Sequence, residues 1–323
     1  MGKKYAILIG LNYKRLGKSW ELYGCINDML MMQNMLIDAY GFQKENILIF
    51  RDDINDPDSF PTYDNILDAF RKTVLSLNED DEFFWHYSGH GSLFDDYGVN
   101  ESDNQDEIII VYNKNKKATA LLDDTFNEIL QLTKCKITMI FDSCNSGTMG
   151  DLMWNYKYDA SRSNNKTISR SQENKLTIAN SNIGIFSSAR DKELAADAFN
   201  NEFQISMGAL TMAVLTCLRN NNHNVSHLKL YVDICKYMIE NGYEQRPQYT
   251  CSTKVPLGKF MRSDIYEIVE SKLLLDEPSK EQIETLSIVD TPPTIKDNTR
   301  SESRKRNKHE KKHSRKTMRM YFI

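Results

Sequence analysis

Apolar residues along this chain fall into two kinds of run. Short, almost unbroken ones have the length of strands buried on both faces: Tyr5–Leu11, Asn46–Phe50, Asp81–Tyr87, Glu107–Tyr112, Ile137–Phe141 and Ile183–Ser188. Longer ones recur near helical spacing: Cys25–Tyr40, Tyr63–Leu77, a stretch opening at Asp123-Asp124, Gly208–Leu218 and Leu228–Ile239. In the first of these, Ile26, Met29, Leu30, Met32, Leu36 and Ile37 share a face, and Gly41 supplies the stop. Gln248–Ser252 reads as a final short strand. Strand–helix alternation of this kind predicts right-handed βαβ units, hence an α/β fold with a mainly parallel central β-sheet sandwiched by α-helices.

Two stretches break the pattern. Residues 155–180 are polar, rich in Ser, Asn and Lys/Arg, and have no sustained apolar period, so the expectation is a long exposed loop. Beyond Pro278 the chain turns polar again, and disorder is expected.

Composition narrows the class. With 323 residues, 40% hydrophobic and 27% charged, this is the make-up of a soluble globular protein. The formal net charge of −4 conceals an asymmetry, because residues 300–323 carry ten Lys/Arg against Glu302 and Glu310 and leave the body acidic. Such a tail suits nuclear targeting or nonspecific binding to anionic surfaces or nucleic acid. It lacks the interleaved aromatics of specific nucleic-acid recognition. The six cysteines, at 25, 135, 144, 217, 235 and 251, show no paired metal-ligand spacing. No secretory signal precedes the first strand, and no apolar run approaches the roughly 18 residues of a membrane span. The expectation is a cytoplasmic protein with free thiols, with nuclear entry through the tail as the other location.

Two of the predicted strands end in small-residue turns that carry chemistry. Asp81–Tyr87 runs into Ser88-Gly89-His90-Gly91, and Ile137–Phe141 runs into Asp142-Ser143-Cys144-Asn145-Ser146-Gly147. In open parallel sheets, reactions gather beyond the carboxyl ends of strands. A thiol is mostly protonated at neutral pH, so a cysteine nucleophile needs a base beside it, and two neighbouring strands could deliver that pair to one rim.

The motifs HYSGHG (86–91) and DSCNSG (142–147) resemble the histidine and cysteine motifs of the metacaspases, cysteine peptidases of the caspase-like fold. YAILIGLNY at the start, GCINDM at 24–29, SSARDKELAAD at 187–197 and GALTMAVL at 208–215 extend the resemblance over roughly residues 4–260. The short interval between the halves is similar to type I organisation. The resemblance implies a peptidase domain over 1–262, with a large-subunit-like region 1–154, the polar loop 155–180 and a small-subunit-like region 181–262; 263–323 form an extension ending in the basic tail.

It further implies His90 as general base, Cys144 as nucleophile, and the backbone N–H groups of Gly91 and Cys144 as an oxyanion hole. The matching substrate-pocket positions are Cys25, Asp28, Ser88 and Asp142, and family members cleave after Arg or Lys. The chemistry read directly agrees: Asp142, two residues before the thiol, opposes thiolate formation unless a cationic substrate group neutralises it. Activating, non-catalytic Ca2+ is implied at Asp106, Asp123, Asp124 and Asp151, whose hard carboxylate oxygens suit that ion. Basic residues in the polar loop, Lys157, Arg162, Lys166, Arg170 and Lys175, are candidate self-cleavage positions. The resemblance also implies a monomer. Two departures stand out: Asn145 sits where histidine is common, and Ile110-Val111-Tyr112-Asn113 replaces a commoner Pro-Val-Asp. The alternative from another class is a catalytically silent interaction or scaffold protein on the same fold.

Overall fold

The computed structural model describes residues 2–95, 105–144, 150–161, 167–172, 178–188, 197–200 and 205–262. All lie in the first of two compact units, Met1–Ile268; the second, Val269–Ile323, falls outside the described residues together with the basic tail. In chain order the first half contains β1 (Lys4–Gly10), α1 (Cys25–Tyr40), β2 (Ile47–Arg51), α2 (Tyr63–Leu75), β3 (Glu82–Ser88), β4 (Gly91–Asp95), β5 (Gln105–Tyr112), β6 (Ala118–Leu122), α3 (Asp123–Leu130) and β7 (Lys136–Asp142). The second half contains β8 (Trp154–Tyr158), β9 (Ile168–Gln172), β10 (Ile183–Ser187), β11 (Asp197–Asn200), β12 (Ile205–Gly208), α4 (Ala209–Asn220), α5 (His227–Glu240) and β13 (Gln248–Cys251).

Eight strands form the main sheet in the order β2-β1-β3-β7-β10-β13-β8-β9. Neighbours from β2 to β10 run parallel, and the pairs from β10 to β9 are antiparallel. Strand alternation divides the core in two. Ala6, Leu8, Phe84, Ile140 and Phe186 pack against α1, α4 and α5. Ile7, Ile9, Phe83, Trp85, Met139 and Phe141 pack against α2 and α3 on the other face. Each fully buried Leu, Ile or Phe contributes about 1.5–3 kcal/mol, so the strands that appear as unbroken apolar runs in sequence are the ones covered on both faces. A second sheet, β4-β5-β6, is antiparallel, and β11 and β12 form a two-stranded ribbon.

The polar segment 155–180 requires a correction. β8 and β9 pair as an antiparallel hairpin at the end of the sheet, with Tyr156 opposite Arg170 and Lys157 opposite Ser169. Tyr156 is buried, and the Arg170 guanidinium lies 5.2 Å over the Trp154 ring. One apolar side chain every second residue on a single short strand anchors the hairpin, and backbone pairing supplies the rest. That signal is too brief to register as a sustained period. Two of the candidate cleavage positions, Lys157 and Arg170, thus sit in paired strands, whereas Arg162, Lys166 and Lys175 lie outside the described residues.

Candidate active site

Three parallel strands stop level with one another: Gly10 lies opposite Ser88, and Ser88 opposite Asp142. The chain order reverses direction between β2 on one side of β1 and β3 on the other, so the crevice of the topological switch opens at this rim. The turns after β3 and β7 carry His90 and Cys144 into it. They are in backbone contact, because a Cβ built on Gly91 would overlap the Cys144 carbonyl oxygen.

His90 is held on several sides. Its Nε2 lies 2.9 Å from the Trp20 carbonyl oxygen. A carbonyl only accepts, so Nε2 carries the hydrogen and Nδ1 is left as the basic nitrogen. The imidazole packs on Tyr13, with centroids 4.7 Å apart, and meets the Trp20 ring edge-on at 5.9 Å. Burial lowers its pKa below the ordinary histidine value, and the Trp20 carbonyl opposes that shift in part. A neutral imidazole with Nδ1 available is the form that accepts a proton.

Cys144 is half-buried. The residue before it is clamped: Ser143 N–H donates to Ser188 Oγ at 3.1 Å, and the same hydroxyl donates to the Ser143 carbonyl at 2.5 Å. Ser188 itself is fixed by its N–H to the Phe141 carbonyl and by Gln245 Nε2 on its own carbonyl. Asn145 lies outside the described residues.

Asp28, Ser88 and Asp142 line the α1/α4 side of the same rim, and all three are buried, as is Cys25, which interacts instead with the phenols of Tyr13 and Tyr87. Ser88 Oγ donates to Asp28 Oδ2 at 2.6 Å, and the Gly208 N–H reaches both Asp28 oxygens at 2.9 and 3.0 Å. Asp142 Oδ2 accepts from the N–H and the hydroxyl of Thr211, each at 2.8 Å. A Cβ on Gly208 would collide with the Asp142 carboxylate and stand 2.9 Å from Asp28 Oδ2. Both acids therefore close on one glycine at the N-terminus of α4, where the helix dipole favours negative charge.

Of the four calcium positions, the structure couples two. Asp123 is buried, and its carboxylate accepts from Asp124 N–H at 2.9 Å and Glu107 N–H at 3.3 Å. Burial first, then a side-chain hydrogen bond with Glu107 and the charges of Asp151 and Glu107, push its pKa up to about 11. Asp151 is buried at a left-handed φ of 49°. Asp124 is exposed, and the Asp106 side chain lies outside the described residues. Among the described residues no three His, Cys, Asp or Glu side chains converge as a metal-ligand set. Buried carboxylates of this kind offer the hard oxygens that a cation takes, and a cation there would offset the desolvation and the Asp151 and Glu107 charges that raise Asp123.

Sequence reasoning missed Trp20, Ser188, Gly208, Thr211 and Glu107. The available signals were the resemblance at 187–197 and 208–215, to which no roles were attached, and the glutamate next to Asp106.

A helix-sandwiched, mainly parallel sheet that presents a histidine and a cysteine from adjacent strand ends defines a cysteine peptidase of the caspase-like fold. Residues 4–153 match the family described as metacaspase, peptidase C14 domain. Metacaspase-1 of Schizosaccharomyces pombe is 30% identical over 305 residues, covering 80% of this chain and 70% of that protein. Metacaspase-1B of Neosartorya fischeri is 31% identical over 307 residues, covering 82% and 72%. The chain belongs to the metacaspase family, and it is a cysteine-type endopeptidase. Two solved structures share the fold: protein GSU0716 of Geobacter sulfurreducens (TM-score 0.55, 22% identity, 78% of this chain and 95% of that one) and caspase-1 of Spodoptera frugiperda (TM-score 0.51, 14% identity, 82% and 92%). Among the described residues no helix is long and apolar enough to cross a membrane.

Proposed function

We propose that this peptidase cleaves after Arg or Lys and is activated by calcium. The observation that carries the specificity is the acid pair on Gly208: Asp28 and Asp142 are both buried, and both close on the same helix N-terminus. A cation about 4 Å from one carboxylate gains about 4 kcal/mol at an effective dielectric of 20, and an aspartate side chain would meet repulsion of that size. A basic side chain before the scissile bond places a positive charge against two like charges and lowers their net charge by one.

In this reading His90 Nδ1 takes the Cys144 thiol proton, and the thiolate adds to the scissile carbonyl. The N–H groups of Gly91 and Cys144 stabilise the oxyanion. Protonated His90 gives its proton to the departing amine, leaving a thioester. Water, deprotonated by His90, then adds to the thioester; the Cys144 thiolate leaves and recovers the proton, and the acid product is released. Asp106, Asp123, Asp124 and Asp151, with Glu107 beside them, would hold the calcium ion. Its charge would offset part of theirs. Self-cleavage belongs to Arg162, Lys166 or Lys175 rather than to the paired Lys157 and Arg170.

The test is turnover of fluorogenic peptides ending in Arg, Lys or Asp, with and without calcium, by the wild type and Cys144→Ala. Turnover of the basic peptides alone, dependent on Cys144 and raised by calcium, is expected. Preference for the Asp peptide refutes the pocket assignment, and no turnover of the basic peptides at any calcium level refutes the proposal.

A further inference from the structure

His90 gains its side-chain environment from Trp20 and Tyr13, but its backbone is held by a separate device. Its N–H donates to Tyr13 Oη at 3.0 Å. Tyr13 Oη lies 2.8 Å from Tyr87 Oη, and Tyr87 Oη donates to the His90 carbonyl at 2.7 Å. These contacts form a ring of hydroxyls that begins and ends on the peptide groups of His90. The Tyr13 hydroxyl donates to the Ile110 carbonyl at 2.6 Å, the Tyr87 hydroxyl lies 2.9 Å from the same oxygen, and the Ile110 N–H adds a second donor to the His90 carbonyl at 3.0 Å.

The ring has local costs that the surroundings meet. Tyr13 sits in the left-handed region at φ 54°, uncommon for a bulky residue. Asp52, itself buried, keeps it there by accepting from the N–H groups of Asn12 and Tyr13 at 3.0 and 2.6 Å. The Tyr112 hydroxyl bonds to the same carboxylate at 2.9 Å, and its ring stacks on Tyr13 at 6.0 Å. Gly89 makes room for the ring, since a Cβ there would lie 2.6 Å from both tyrosine hydroxyls. Burial raises both phenols well above the ordinary value, so both keep their protons. The departure at Ile110-Val111-Tyr112 thus acquires a use: a proline at 110 would have no N–H to give, and only a long side chain at 112 reaches Asp52.

We infer that Tyr13 and Tyr87 are positioning residues, whose hydroxyl ring fixes the peptide groups of His90 and thereby the aim of its imidazole at Cys144. This rests on the reading of His90 as the base for Cys144. Misaiming a catalytic group by about 1 Å costs on the order of a hundredfold in rate, so loss of one ring member lowers kcat while KM stays near its wild-type value.

The readout is the pH dependence of Cys144 alkylation by iodoacetamide, which needs no peptide substrate. It is measured for the full-length wild type, Tyr13→Phe, Tyr87→Phe, His90→Ala and Tyr156→Phe, each with its thermal midpoint. Tyr156 is a control: it is a buried phenol whose hydroxyl donates to the Lys254 carbonyl, on the hairpin. Profiles of Tyr13→Phe or Tyr87→Phe displaced towards that of His90→Ala support the ring, with Tyr156→Phe unmoved whatever its midpoint. Profiles superimposed on the wild type overturn it. Superposition of His90→Ala on the wild type instead overturns the dyad reading, and the ring with it. If Tyr87→Phe does not fold, Tyr13→Phe alone decides.

Discussion

Gly91→Ala offers a direct measure of how close the two catalytic turns must be. An ideal Cβ at Gly91 would stand 2.1 Å from the Cys144 carbonyl oxygen and 3.1 Å from Ser143 Cβ and Oγ, whereas real Cβ contacts essentially never fall under 3.0 Å. Gly91 has a backbone conformation open to alanine, so the perturbation is this overlap and not strain in φ. The obstructing atom is backbone, and Ser188 pins the residue before it through both Ser143 peptide groups. The turns must therefore part by close to an ångström. A misplacement of that size costs on the order of a hundredfold in rate, or about 2.7 kcal/mol at 1.36 kcal/mol per decade. The assay is kcat/KM per titrated active site on a basic fluorogenic peptide, with iodoacetamide alkylation of Cys144 as a substrate-free companion. Gly258→Ala is the matched control, because a Cβ there meets nothing within 4 Å. A fall of about two decades for Gly91→Ala, with Gly258→Ala near the wild type, is expected. Activity of Gly91→Ala within about threefold of the control would refute the claimed contact between the turns.

Ser188→Ala strips the partner from two buried peptide groups at about 1–3 kcal/mol each; urea titration should show that loss, together with a lower kcat, and an unchanged midpoint would count against the clamp. Asp142→Asn should act in opposite directions, speeding iodoacetamide alkylation of Cys144 by removing a nearby negative charge while lowering turnover of Arg and Lys peptides; a parallel fall in both would contradict the pocket role. Burial depresses His86 and His227 to about 3, so both stay neutral in the fold but take up protons once unfolded, near 6.5. Their share of stability is complete above about pH 7 and drains as pH falls from 6.5 towards 3, at about 1.4 kcal/mol per unit for each, or roughly 4 kcal/mol for the pair at pH 5. Urea titrations at pH 7.5 and 5 read it, and a His227→Gln variant that keeps the full pH dependence would disprove its half. Intact mass after incubation with calcium should place any self-cleavage at Arg162, Lys166 or Lys175; a cut after Lys157 or Arg170 would mean that the hairpin opens.

The parts of this molecule that were legible in sequence are those whose side chains repeat. Cys25–Tyr40 appears with the bounds expected, because its apolar face recurs at helical spacing and Gly41 ends it. The strands β1, β3 and β7 were legible because burial on both faces makes most of their residues apolar. The hairpin of β8 and β9 was not, since it is held by backbone pairing at the end of the sheet and only Trp154, Tyr156 and Tyr158 mark it. In the site, His90 and Cys144 announce themselves by side-chain type between small residues. Trp20 contributes a carbonyl oxygen, Ser188 a hydroxyl from 45 residues away, and Gly208 an absence of side chain 180 residues from Asp28. None of these leaves a pattern in one dimension, and Glu107 was overlooked only because its neighbour Asp106 matched the family.

Placing an acid two residues before a nucleophilic thiol looks self-defeating, and the sheet shows how the conflict is contained. Asp142 follows Ile140 by two positions on β7, so its side chain leaves the sheet on the α1/α4 face with Ile140, as Ser88 does with Phe84 on β3. Tyr87 and Phe141 leave on the opposite face, which also holds Tyr13. The two acids of the proposed pocket and the tyrosine hydroxyls behind His90 thus occupy different sides of one rim, and Cys144 emerges between them from the turn. The Asp142 charge is directed at Thr211 and the start of α4, and that of Asp28 at Gly208 and Ser88. A helix N-terminus stabilises such charge before substrate arrives. Moving the Asp142 carboxylate to the other face, as a one-residue slip in β7 would do, would put it among the aromatic core of α2 and α3 and leave the helix end without it. The level ending of β1, β3 and β7 is therefore a condition for the chemistry as well as a feature of the fold.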